Sequence, residues 1–128
     1  MRLLLDTRIL LWALGEPSKL PAAVRTLIVD PANDVLFSAA SIWEIAIKVQ
    51  IGRANFKAEP GEIARAAVAS DFAELPVRSE HCALTARLSP HHRDPFDRLL
   101  VAQALTEPAR LLTVDAALRP YSDLVNVF

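Results

Sequence analysis

Short unbroken apolar runs alternate along this chain with longer segments whose apolar residues recur at helical spacing. Arg2 to Leu5 reads as a strand that stops at Asp6-Thr7. Ile9 to Leu14 continues apolar, with Trp12 inside it, and ends at the breaker cluster Gly15-Glu16-Pro17. Ser18 and Pro21 open a helix through Val29 that carries Leu20, Val24, Leu27 and Ile28 on one face, and residues 30–34 form a turn. Val35 to Ser38 is a second strand, followed by a helix from about Ala40 to Ile51 that Gly52 stops.

Residues 53 to 60 read as irregular, and Pro60-Gly61-Glu62 starts a helix to about Ser70. Phe72 to Val77 is a weak strand interrupted by Pro76, suited to a sheet edge. Ser79 caps a helix through Leu88, and Ser89 to His92 is a loop. Pro95, with no N–H to donate, then fits the first position of a helix capped by Asp94, whose apolar run extends from Leu99 to Leu105. Arg110 to Thr113 is a strand, Ala116 to Leu118 a short helix, and Leu124 to Val127 the last strand. Strands that are apolar throughout, separated by helices, predict a mainly parallel sheet covered on both faces. The expected fold is α/β, a three-layer α/β/α sandwich.

Length and composition narrow this further. A chain of 128 residues, 52% hydrophobic and 23% charged, suits one domain over 1–128 with one folded core. No apolar run approaches the roughly 20 residues of a membrane span, and the first apolar run is too short for a signal peptide. The single cysteine, Cys82, excludes an internal disulfide and fits a reducing cytoplasm. A net charge of −1 requires any nucleic-acid contact to use a local basic patch.

The acids are where the chemistry lies. In open α/β sheets, ligands sit beyond the carboxyl ends of the strands. Asp6 and Asp115 each follow a strand, and Asp94 and Asp97 open the helix that leads into the Asp115 strand. A right-handed crossover brings that helix start to the same edge. Each aspartate taken alone also reads as a helix cap or turn former. Glu44 stands among Ile42, Trp43, Ile45, Ala46 and Ile47, where an unpaired carboxylate is costly; its bland reading is a pair with Lys48. Carboxylates crowded at one edge need a cation or raised pKa values. Their hard oxygens suit Mg²⁺ or Mn²⁺, which points to metal-dependent phosphodiester hydrolysis.

Four segments then resemble, in order and spacing, the PIN domain, and especially the VapC-type toxins of bacterial toxin–antitoxin pairs. They are Leu4-Leu5-Asp6-Thr7, Ser41-Ile42-Trp43-Glu44-Ile45, Arg93-Asp94-Pro95-Phe96-Asp97-Arg98-Leu99-Leu100 and Leu112-Thr113-Val114-Asp115. The resemblance implies a PIN-like fold and a Mg²⁺- or Mn²⁺-dependent endoribonuclease, with Asp6, Glu44, Asp97 and Asp115 matching the acidic quartet. Asp94 becomes a cap or a fifth, auxiliary metal ligand, and Thr7 and Thr113 match the hydroxyl residues beside the acids. Many relatives read Asp-Thr-His at the start, where this chain has Arg8.

The resemblance also implies an RNA substrate, a cognate VapB-like antitoxin, and a homodimer within a larger toxin–antitoxin complex. Arg8, Lys48, Arg53, Arg93 and Arg98 are the candidate RNA contacts, as they neighbour the acidic motifs. The competing reading is a catalytically silent PIN-like module that binds RNA or antitoxin. A zinc site at His81, Cys82, His91 and His92 is disfavoured, because adjacent residues on one helix point apart. His91 and His92 are read as loop residues near the site mouth, and Trp12 and Trp43 as core.

Overall fold

The computed structural model describes residues 1–53 and 59–128. Most of the stretch expected to be irregular, 53–60, therefore lies outside the described residues. Strands β1 (Arg2–Leu5), β2 (Asp34–Ser38), β3 (Ala73–Leu75), β4 (Arg110–Thr113) and β5 (Val125–Val127) form one sheet in the order β3-β2-β1-β4-β5. Every pairing is parallel, with Leu5 level with Phe37 on one side and Leu112 on the other. The expected α/β/α sandwich is what the chain forms.

Why the strands are apolar throughout is visible in β1. Leu3 and Leu5 pack into one core cluster and Leu4 into the other, and all three are fully buried. Helices α1 (Thr7–Gly15), α2 (Ala22–Val29), α3 (Ala39–Gln50) and α4 (Pro60–Ala69) cover the first face through Ile9, Val24, Ile45 and Ile63. Helix α6 (Pro95–Thr106) covers the second through Leu100, Val101 and Ala104. The chain steps outward from β1 to β2 to β3, then returns to place β4 on the other side of β1. Ligand sites favour this switch point.

Some boundaries differ from expectation. Pro17–Lys19 is a separate 3₁₀ turn, and α2 starts only at Ala22. Pro21 holds the preceding Leu20 extended, with ψ 133°, which separates the two. Helix α5 (Ser79–Leu84) passes into a 3₁₀ turn at Thr85–Arg87. Its cap residue is Arg78, one before the expected Ser79; the Arg78 N–H donates to Nδ1 of the buried His81 at 2.9 Å. The short helix after β4 is a 3₁₀ helix from Ala116 to Tyr121. β3 lies at the sheet edge, as Pro76 requires.

Trp43 corrects the expectation of a core residue: it is 61% exposed. The buried residues of α3 are Ala40, Ser41, Glu44 and Ile45, so its inward face carries polar groups and the indole falls outside it. There it meets Phe96 edge-on, with ring centroids 5.2 Å apart. Trp12 packs partly buried against the first core cluster.

Candidate active site

Asp6 follows β1 without a break, and its N–H extends the ladder by donating to the Leu112 carbonyl at 3.0 Å. The chain then turns into α1, and Asp6 caps it: Oδ1 accepts the Ile9 N–H at 2.8 Å. Its other oxygen, Oδ2, accepts the Thr113 hydroxyl at 2.5 Å. Burial pushes the carboxyl above its usual range. The Thr113 and Ile9 hydrogen bonds and the Arg8 charge oppose that push, and the Glu44 charge adds to it.

Asp115 repeats the arrangement at the end of β4. Its Oδ1 accepts the Ala117 N–H at 3.0 Å, capping the 3₁₀ helix, and its own N–H donates to Thr113 Oγ1 at 3.0 Å. Asp94 Oδ1 accepts the N–H groups of Phe96 and Asp97, the cap that Pro95 at the first helical position foretold. The bland and the chemical readings of these aspartates are therefore compatible. At Asp94 and Asp115 one oxygen caps a helix and leaves the second for the site, while at Asp6 the second also accepts from Thr113.

Asp97 stands in the first turn of α6. Its Oδ2 is 2.9 Å from Nε2 of His92, and the same nitrogen is 3.6 Å from Oδ2 of Asp115. Burial pushes Asp97 up to about 6, helped by the charge of Asp94 and, more weakly, of Glu44 and Asp6; the His92 contact opposes the shift. Glu44 is buried from α3, whose start is set by the Ser38 cap at the end of β2. Its Oε1 accepts the Thr7 hydroxyl at 2.7 Å and its Oε2 pairs with Lys48 at 2.7 Å. The expected i,i+4 partner is present, so Lys48 is engaged with Glu44. Beneath the site, the Ser38 hydroxyl donates to Oε1 of the buried Gln103 at 2.6 Å and ties α3 to α6.

These side chains share an open cleft of about 900 Å³ whose lining includes Asp6, Glu44, Asp94, Asp97 and Asp115. Of the basic candidates, Arg8, Lys48 and Arg53 line it, joined by Lys19, which the sequence did not single out. Arg93 and Arg98 are not among the lining residues. Arg98 is turned into its own loop, where its guanidinium reaches the carbonyls of Thr85, Leu88, Ser89 and His92 and the Tyr121 hydroxyl. That engagement corrects its placement as a phosphate contact. His92 was expected in a loop near the site mouth; the structure adds its contact with Asp97, for which the sequence carried no signal beyond its place three residues before the helix start.

A divalent cation suits this donor set. Among the described residues, Lys48 is the only lysine or arginine in ion-pair contact with any of the five acids. Burial, with the charges of neighbouring carboxylates adding to it, raises two of them, Asp6 and Asp97. Ligand atoms of His92, Asp94 and Asp97 lie within 4.8 Å of one another. The oxygen-rich set favours Mg²⁺ or Mn²⁺ over zinc. His81 and Cys82 do not assemble a zinc site: His81 is buried against Glu107 at 2.8 Å, and Cys82 is exposed.

The sequence profile of the PIN domain matches residues 3–124. No curated protein matches the chain. Among solved structures, the fold is similar to a chain of VapBC2 from Rickettsia felis bound to a DNA fragment from their promoter, with TM-score 0.68 and 14% identity. That similarity covers 100% of this chain and 98% of the other. No helix among the described residues is long and apolar enough to cross a membrane.

Proposed function

Because the chain belongs to the PIN domain family, we propose that it is a metal-dependent endoribonuclease that hydrolyses RNA phosphodiester bonds. In this reading it is the VapC-like toxin of a toxin–antitoxin pair. One observation carries the catalytic part: four strand-end and helix-start acids meet at the switch between β1 and β4 with two of their carboxyls raised by burial. Asp6, Asp97 and Asp115 would hold Mg²⁺ or Mn²⁺, with Glu44 and Asp94 as outer or auxiliary donors. Such an ion acidifies water and offsets charge on a phosphate during in-line displacement.

The chain's own residues do the rest. Thr113 and Thr7 donate to Asp6 and Glu44 and fix the orientation of each carboxylate. Arg8 and Arg53, at the cleft wall, would contact backbone phosphates of the RNA. Asp97, with its carboxyl raised to about 6 by burial, is one acid whose ionisation a bound cation would favour. Among the described residues no serine or cysteine lines the cleft, which fits water as the attacking group.

The biological setting is the finer part of the proposal. The VapBC2 similarity supports a VapB-like antitoxin as partner, and a cationic side chain from it would be well received by a crowded acidic cleft. A homodimer is expected from the resemblance to VapC-type toxins.

The test is cleavage of a mixed RNA pool with Mg²⁺, Mn²⁺ or chelator, beside an Asp97→Asn preparation. Discrete cuts that need the metal and vanish in the variant support the enzyme. Identical behaviour of the two preparations leaves a PIN domain that binds RNA or antitoxin without cutting.

A further inference from the structure

We infer that His92 is a positioning residue for Asp97, held in place through its own main chain by Arg98 and Tyr121. The inference rests on the metal-site reading above. An ionised carboxylate only accepts hydrogen bonds, so above the pKa of Asp97 the 2.9 Å contact places the proton on Nε2 of His92. That donation engages Oδ2 of Asp97, and among the described residues no hydrogen bond engages Oδ1. The imidazole thereby selects which carboxylate oxygen remains for a cation. With Oδ2 of Asp115 at 3.6 Å from the same nitrogen, the ring edge also stands between two acids carried by different elements.

A loop histidine does this only if the loop is fixed, and two side chains fix it. The Tyr121 hydroxyl accepts the His92 N–H at 2.9 Å. The Arg98 guanidinium reaches the His92 carbonyl at 3.4 Å, the Ser89 carbonyl at 3.0 Å and the Thr85 carbonyl at 2.8 Å. It also donates to the Tyr121 hydroxyl at 3.0 Å, which joins the two clamps. Arg98 follows Asp97 on α6, and Tyr121 ends the 3₁₀ helix that Asp115 caps. The two elements that carry the acids therefore also hold the loop that carries the histidine. A planar five-donor group is needed for this; a lysine ammonium has neither the fork nor the number of donors.

The experiment compares Mn²⁺ binding by calorimetry in the full chain and in His92→Ala, His92→Gln and Arg98→Lys, each checked for an unchanged unfolding temperature. The glutamine amide restores an N–H donor at similar reach without an imidazole. His92→Ala should raise the Mn²⁺ dissociation constant about 10- to 100-fold, Arg98→Lys should do the same from a distance, and His92→Gln should recover most of the loss. An unchanged dissociation constant in His92→Ala, or a glutamine variant as weak as the alanine one, overturns the inference.

A second readout uses metal-free protein at pH 8: a hydrogen-bonded His92 Nε2–H resonance, present in the parent chain and lost in Asp97→Ala. Its absence from the parent chain also overturns the inference. Should the parent chain bind no Mn²⁺, the metal-site reading fails, and the resonance alone decides whether His92 positions Asp97.

Discussion

Thr113 donates its hydroxyl to Oδ2 of Asp6 at 2.5 Å and accepts the N–H of Asp115 on the same oxygen at 3.0 Å. One buried side chain thus sets the acids that end β1 and β4. Thr113→Val keeps the shape and removes both bonds. Without the hydroxyl, burial of Asp6 is less opposed, so its carboxyl should rise further. The expected cost is about 1–3 kcal/mol in denaturant unfolding, for a buried carboxylate and N–H left unpaired. Mn²⁺ affinity should fall about 10-fold or more, while Thr113→Ser keeps most of both. A valine variant equal to the parent in both measurements removes Thr113 from the site's architecture.

Asp97 makes an opposite prediction for metal-free protein. Its carboxyl moves from an ordinary 3.8 up to about 6 on folding, so the folded chain holds the proton to higher pH than the unfolded chain. Ionised Asp97 therefore destabilises the fold fully above pH 6, progressively less between 6 and 4, and not at all below that. In chelator, Asp97→Asn should be more stable by about 1–2 kcal/mol at pH 7.5, after discounting for partial exposure, and equal to the parent near pH 3.5. Millimolar Mn²⁺ should reverse the order at pH 7.5, because only the parent gains binding energy. Thermal unfolding at the two pH values, with and without Mn²⁺, measures all of this.

Asp94, Asp97 and Asp115 show how much of this was legible beforehand. Proline, aspartate and an apolar run mark a helix start through local chemistry, and strand ends are marked by where apolar runs stop. The crossover rule then brings those ends to one edge. The exposure of Trp43 and the contact of His92 with Asp97 were not legible, for related reasons. The burial of Trp43 depends on which α3 face meets the sheet, and that face is set by the polar pair Ser41 and Glu44, against the apolar pattern. The position of His92 depends on Arg98 and Tyr121 folding its loop inward, a contact with no periodic signal. Arg98 shows the same limit: a charge beside an acidic motif reads as surface until its carbonyl partners are in view.

Away from the cleft, Glu107 ties three elements together. Its carboxylate contacts His81 of α5 at 2.8 Å and Arg2 of β1 at 3.5 Å from the end of α6. The His81 hydrogen bond, with Arg2 assisting, holds its carboxyl below the usual value of 4.5. A depressed folded pKa stabilises above the unfolded value, and the contribution is lost as pH falls through the folded one. Glu107→Ala should cost about 1–3 kcal/mol at pH 7, since it leaves the wholly buried His81 ring without its Nε2 partner. The gap between variant and parent should narrow as the pH is taken below 4.5, which paired urea titrations would follow.

Arg8 stands where the resemblance to VapC-type toxins leads one to expect histidine, and an arginine there has a measurable consequence. Arg8 is exposed, lines the cleft beside Asp6, and lowers that carboxyl through its charge. A guanidinium does not titrate near neutrality, so this position should hold phosphate equally at pH 6 and pH 8. In an Asp97→Asn background that cannot cut, Arg8→Ala should weaken RNA binding by a similar factor for unrelated sequences. The slope of log affinity against log salt should become shallower by about 0.7–1, the signature of one lost phosphate contact. Arg8→His should recover that contact below about pH 6.5, where imidazole is charged, and lose it at pH 8. An unchanged salt slope in Arg8→Ala would place the arginine away from the RNA, leaving its charge to act on Asp6 alone; the alanine variant should then still bind Mn²⁺ more tightly than the parent, through the removal of a nearby positive charge.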